Sequence, residues 1–82
     1  MADALVRAPL VDQAIAHLRD QIATGAWIVG DQLPAEPVLA QHMGVGRSTV
    51  REGVRVLAHA GVLEVRQGAG TFVRATTSPS DF

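Results

Sequence analysis

Gly44-Val45-Gly46-Arg47-Ser48-Thr49-Val50-Arg51-Glu52 is the stretch on which the reading of this chain turns. Two glycines around one valine mark a tight turn, and helical patterns lie on both sides of it. Downstream, a helix is expected over 47–60, with Gly46 as its N-cap and Gly61 closing it. On a wheel of about 100° per residue with Arg47 at zero, Arg51 and Arg55 fall at about 40° and 80°, followed by Ser48 and Glu52. Thr49, Val50, Gly53, Val54, Val56 and Leu57 occupy the other half. Three arginines therefore share one exposed face, and the valines with Leu57 anchor the opposite one.

Upstream of the turn, Leu39, Ala40 and Met43 suit a short helix that starts at Glu36 and stops at Gly44. Pro37 falls in its first turn, where the missing N–H costs little. Further back, Leu10, Val11, Ala14, Ile15, Leu18 and Ile22 form one apolar stripe, which predicts a helix over about 10–24 capped by Gly25. The connector between them carries a Gly30-Asp31 turn signal, packing residues Trp27, Ile28 and Leu33, and room for a short strand at 31–33. After Gly61 the apolar period changes to two. Residues 62–66 and 71–74 read as strands around the glycine-rich turn Gln67-Gly68-Ala69-Gly70. Residues 1–9 are a lead-in ending at Pro9, and 75–82 have the composition of a linker or tail.

The order is helix, short helix, three-residue turn, helix, hairpin. The fold class is α+β, mainly α: a three-helix winged helix-turn-helix with a C-terminal β-hairpin wing, over residues 10–74. Two helices joined by a short turn containing glycine are the helix-turn-helix signature. Its second helix enters the major groove of DNA, N-terminal residues first. Here those residues are Arg47, Ser48, Thr49 and Arg51. Arginine forks match guanine edges, and hydroxyls reach bases or phosphates. The wing tip carries no bulky side chain, so its backbone can approach a groove closely.

Length and composition bound the alternatives. With 82 residues the chain is one small domain. No apolar run approaches the ~18 residues of a membrane span, and there is no signal peptide, so the expected location is cytoplasmic. Cysteine is absent, which excludes disulfides and thiolate chemistry. A net charge of −1 first argues against nucleic acid. Its distribution reverses that inference. All seven basic residues are arginines. Five of them, Arg47, Arg51, Arg55, Arg66 and Arg74, face only Glu52 and Glu64 within 47–74, a local surplus of +3. Residues 1–46 carry −3 and Asp81 adds −1. His17, His42 and His59 lie far apart on three helices, unlike the paired ligands of metal sites, so no metal and no cofactor is expected. The Gly-rich turn lacks the lysine and the preceding strand of a phosphate-cradling loop. Ser48 has no recognisable triad, so an enzyme is the least favoured class.

The residues also carry a family resemblance. Gly30-Asp31-Gln32-Leu33-Pro34-Ala35-Glu36, Gly44 through Glu52, and Val65-Arg66-Gln67-Gly68-Ala69-Gly70-Thr71-Phe72-Val73 resemble, in order and spacing, the N-terminal domain of GntR-family bacterial transcription regulators. The wing stretch is most similar to the FadR-like branch. Members contact operator DNA with the start of the recognition helix and the wing tip, which implies Arg47, Ser48, Thr49, Arg51, Gln67 and Gly68 here. The resemblance also implies double-stranded operator DNA as partner and a homodimer on DNA. The family's effector-sensing C-terminal domain has no counterpart in these 82 residues, so no small-molecule effector site is expected. Two positions depart from the family pattern. Pro37 stands where an arginine usually follows the helix 2 glutamate, and Gly46 where a serine or threonine usually precedes Arg47. Both remove a DNA contact.

Several arginines have a second reading. Arg51 is alternatively an ion-pair partner of Glu36 or Glu52. Arg55, two turns into the helix, is assigned to the phosphate backbone rather than a base. Arg66 and Arg74 flank the wing and either meet phosphates or coat a solvated strand. Glu52 is expected to orient Arg51 or Arg55. The competing function class is a winged-helix protein–protein module, and the arginine stripe argues against it.

Overall fold

The computed structural model describes residues 9–76. The lead-in 1–9 and the tail 75–82 therefore lie almost wholly outside the described residues. Three helices precede a two-stranded antiparallel sheet: α1 Leu10–Ala23, α2 Glu36–Met43, α3 Arg47–His59, β1 Leu63–Arg66 and β2 Gly70–Val73. The expected class, a mainly helical three-helix unit with a hairpin wing, is the one observed.

Each helix stops where the sequence places a glycine. Gly44 takes the left-handed conformation at φ 70° and passes its N–H to carbonyls of the last α2 turn. That conformation is costly for any residue with a Cβ, and it reverses the chain within three residues. Gly46 is extended and caps α3 with its carbonyl, which accepts from Thr49 and Val50 N–H. No side chain caps α3. The helix ends at His59, one residue before its expected end, with Ala60 as C-cap.

The core lies where the three helices meet the base of the hairpin. Leu18, Val50, Leu57, Val62 and Leu63 are its largest fully buried side chains. Ile22, Leu33, Leu39, Val54 and Val73 close around them. Burying each such side chain contributes about 1.5–3 kcal/mol before chain entropy is counted. Trp27 packs half-buried against this cluster and Leu33 lies in it, as expected, but Ile28 does not pack there: it opens the turn closed by Asp31 and is 60% exposed. Val56 corrects the wheel. It was expected on the buried half of α3 and is 41% exposed, because it sits at the boundary of the stripe where no element covers it.

The short strand expected at 31–33 is reduced to a single bridge, Gln32 to Phe72. Leu33 N–H donates to Thr71 O, and Val73 N–H donates to Asp31 O. The connector thus lies along the side of β2 away from β1. The hairpin turn is tighter than expected. Gly70 opens the return strand and Arg74 falls beyond it. Only Gln67, Gly68 and Ala69 make the tip, with Ala69 N–H on Arg66 O and Gly68 at φ 79°. A positive φ at that place is what a type II turn requires. No helix among the described residues is long and apolar enough to cross a membrane.

Candidate nucleic-acid interface

The turn Gly44–Gly46 presents α3 with its first residues outward. Its buried side, Val50, Gly53, Val54 and Leu57, is held by α1 and the base of the sheet. Arg47, Ser48, Arg51, Glu52 and Arg55 are left exposed, and Thr49 is half-buried. The helix is thus anchored on one face and displays an arginine row on the other. Its unfilled N-terminal N–H groups and positive dipole end lie at the same place, which favours phosphate.

The three arginines are held differently. Among the described residues no ion pair or hydrogen bond holds the Arg47 side chain, so its whole fork is available. Arg51 donates through Nε and Nη2 to Glu36 Oε1, at 3.3 and 3.1 Å. The alternative partner, Glu52, is taken by Arg55 at 3.8 Å instead. Arg51 is therefore an ion-pair partner across α2 and α3. Its Nε–Nη2 edge faces Glu36 and the other end of the fork remains free. All of these side chains are at least one-third exposed, so the pairs steer orientation more than they stabilise.

The second part of the surface is the wing. Gln67 and Gly68 are exposed at the tip. Arg66 is not a free strand cation: its guanidinium stacks 4.3 Å from the Phe72 ring centroid and bonds Glu64 Oε1 at 3.2 Å. For Arg74 no ion pair is found among the described residues. Between the wing and the start of α2 lies an open groove lined by Gln32, Glu36, Val54, Val65, Gln67 and Gly70, among others. Sequence reasoning missed Gln32. Its side-chain Nε2 donates to Ala69 O at 2.8 Å, across 37 residues of sequence. The residue stands inside the quoted 30–36 stretch, but no local spacing ties it to the wing.

Two helices across a glycine turn, an arginine row on the second, and a hairpin beside it define the winged helix-turn-helix class. The sequence matches the family described as "Bacterial regulatory proteins, gntR family" over residues 10–73. The chain belongs to this family. It is 44% identical over 66 residues to the mannosyl-D-glycerate transport/metabolism system repressor MngR of Escherichia coli K12, covering 80% of this chain and 28% of that protein. A Streptococcus agalactiae GntR structure superposes with a TM-score of 0.75 at 44% identity, over 83% of this chain and 32% of the other. The DNA-binding domain of AraR, in complex with operator ORX1, superposes with a TM-score of 0.76 at 33% identity over 80% of each chain. The chain spans about a quarter of the length of the curated relatives it matches.

Proposed function

We propose that residues 10–74 form a sequence-specific double-stranded DNA-binding domain of a bacterial transcription regulator. The observation that carries the reading is the arginine row of α3, exposed along one face while the opposite face is locked into the core. The AraR domain, similar in fold and one-third identical, was solved with operator DNA and supports it. In this reading α3 enters the major groove. Arg47 and the free end of the Arg51 fork read guanine edges, and Ser48 and Thr49 bond bases or phosphates. Arg55 meets the backbone. Gln67 and Gly68 carry the wing tip to the adjacent groove. Pro37 and Gly46 each forgo a contact the family usually makes, which lowers affinity or shifts sequence preference.

Two copies are proposed to bind a two-fold symmetric operator, with half-sites about one helical turn or a multiple of it apart. Within the family, the wing stretch 65–73 supports the FadR-like branch. Selection of binding sites from random duplex DNA, followed by titration at two salt concentrations, tests the reading. A recovered symmetric motif and salt-dependent binding are expected. Failure to enrich any motif would leave a protein-contact module as the better account.

A further inference from the structure

Gln32 is an exposed polar residue that the DNA-contact reading does not use, yet it is the most specifically placed side chain near the wing. Its amide reaches across the groove to Ala69 O at 2.8 Å. Its backbone forms the bridge to Phe72, flanked by the Leu33–Thr71 and Asp31–Val73 hydrogen bonds. Gly70 lies directly beneath it. Gly70 has a φ of 127°, and a Cβ built there would run into Gln32 Nε2. The absent side chain of Gly70 is thus the space the Gln32 amide occupies. Ala69 adjoins Gly68, so this hydrogen bond ends at the wing tip itself.

Four residues further along the same segment, Glu36 holds Arg51 of α3. One short stretch, Gln32–Glu36, is therefore tied at one end to the wing tip and at the other to an arginine of the recognition helix. These are the two elements that must meet DNA simultaneously. A hairpin attached only at its base, with a three-residue tip carrying glycine, would have to be ordered on each binding event, and that ordering weakens binding.

We propose that Gln32 is a positioning residue for the wing: its amide fixes the tip relative to α3, so that the wing and the recognition helix engage adjacent grooves in register. The proposal rests on the DNA-binding reading above. Gln32 touches no DNA in this role, and its effect passes through Ala69.

The test is Gln32→Met, which keeps the length of the side chain and removes the donor. The 82-residue chain and the variant are titrated against the operator selected by the parent chain. Hydroxyl-radical cleavage then maps the minor groove and backbone, and dimethyl sulfate maps guanine N7 in the major groove. Affinity is expected to fall about 3- to 10-fold, the range of one net hydrogen bond. Protection is expected to be lost where the wing lies while guanine protection and thermal midpoint are retained. Gln32→Lys, which can donate to the same carbonyl, is expected to restore the wing footprint. Unchanged affinity with an unchanged wing footprint would overturn the proposal. So would an even loss of both footprints with a lowered midpoint, since that is a general folding defect. If the parent chain itself selects no duplex, the DNA-binding reading fails first and the two failures are told apart.

Discussion

Arg51→Ala separates the two roles its geometry allows. In the free domain the guanidinium gives Nε and Nη2 to one oxygen of Glu36. The two side chains are 52% and 36% exposed, so solvent screens the pair. Losing it is expected to cost about 0.2–1 kcal/mol of stability, a fall of a few degrees in midpoint for a domain this small. The operator carries the larger effect. A bidentate arginine–guanine pair gives about 1–3 kcal/mol of discrimination, or roughly 5- to 150-fold. Fluorescence anisotropy with the selected operator and a scrambled duplex, alongside urea unfolding, reads both quantities. The loss is expected on the selected duplex, with a smaller, salt-dependent loss on the scrambled one. Arg51→Lys retains the charge but not the planar fork, so it should keep the salt slope and still lose discrimination. Equal losses on both duplexes would refute base reading by Arg51. A loss of stability exceeding the loss of operator affinity would make the residue a structural ion-pair partner only.

Other substitutions test separate parts of the reasoning. Arg55→Ala should weaken selected and scrambled duplexes alike and flatten the dependence of log K on log salt by about one phosphate contact; a change confined to one base position would contradict the backbone assignment. Gly46→Ser, at an extended N-cap where a Cβ would meet only Ser48 Oγ at 4.0 Å, should add a few tenths of a kcal/mol in urea unfolding, about what serine gains over glycine at an N-cap. Pro37→Arg should tighten operator binding in the same titration, and no gain would mean α2 lies too far from the duplex to contribute. Leu57→Ala removes a fully buried side chain and should cost about 2–5 kcal/mol in urea unfolding, a large share of the stability of so small a domain. A cost below about 1 kcal/mol would mean the α3 anchor lies elsewhere.

The helices and the turn were legible because their signals are local. Gly25, Gly44 and Gly61 sit at or just past the helix ends and adopt positive φ there, as the sequence pattern requires. The arginine face followed from three residues at four-residue spacing. Val56 was misread because a wheel divides a helix into halves, whereas the neighbouring elements cover less than half of α3. The wing boundaries shifted because Arg66 pairs with Gly70 across a three-residue tip, which the glycine-rich composition of 67–70 hides. Leu63 is buried but Val65, two residues along the same face, is 54% exposed because the hairpin projects past the core after its first residues. Gln32 and the choice of Glu36 over Glu52 as partner of Arg51 were not readable, since each joins segments whose approach is set only by the packed core. In the functional surface, the identity of the arginines is sequence information, whereas how tightly each is held is tertiary information.

The wing has one further consequence. β1 pairs only with β2, while the connector occupies the far side of β2, so β1 is an outer strand among the described residues. Outer strands invite pairing with strands of other molecules, a hazard that two copies side by side on an operator, as proposed above, would sharpen. Here the strand is four residues long and alternates Glu64 and Arg66 with Leu63 and Val65. Those two charges bond each other along one face of the strand, so the edge is both short and polar and poorly suited to templating. The same arginine whose guanidinium covers Phe72 thereby makes this edge a poor template for an added strand.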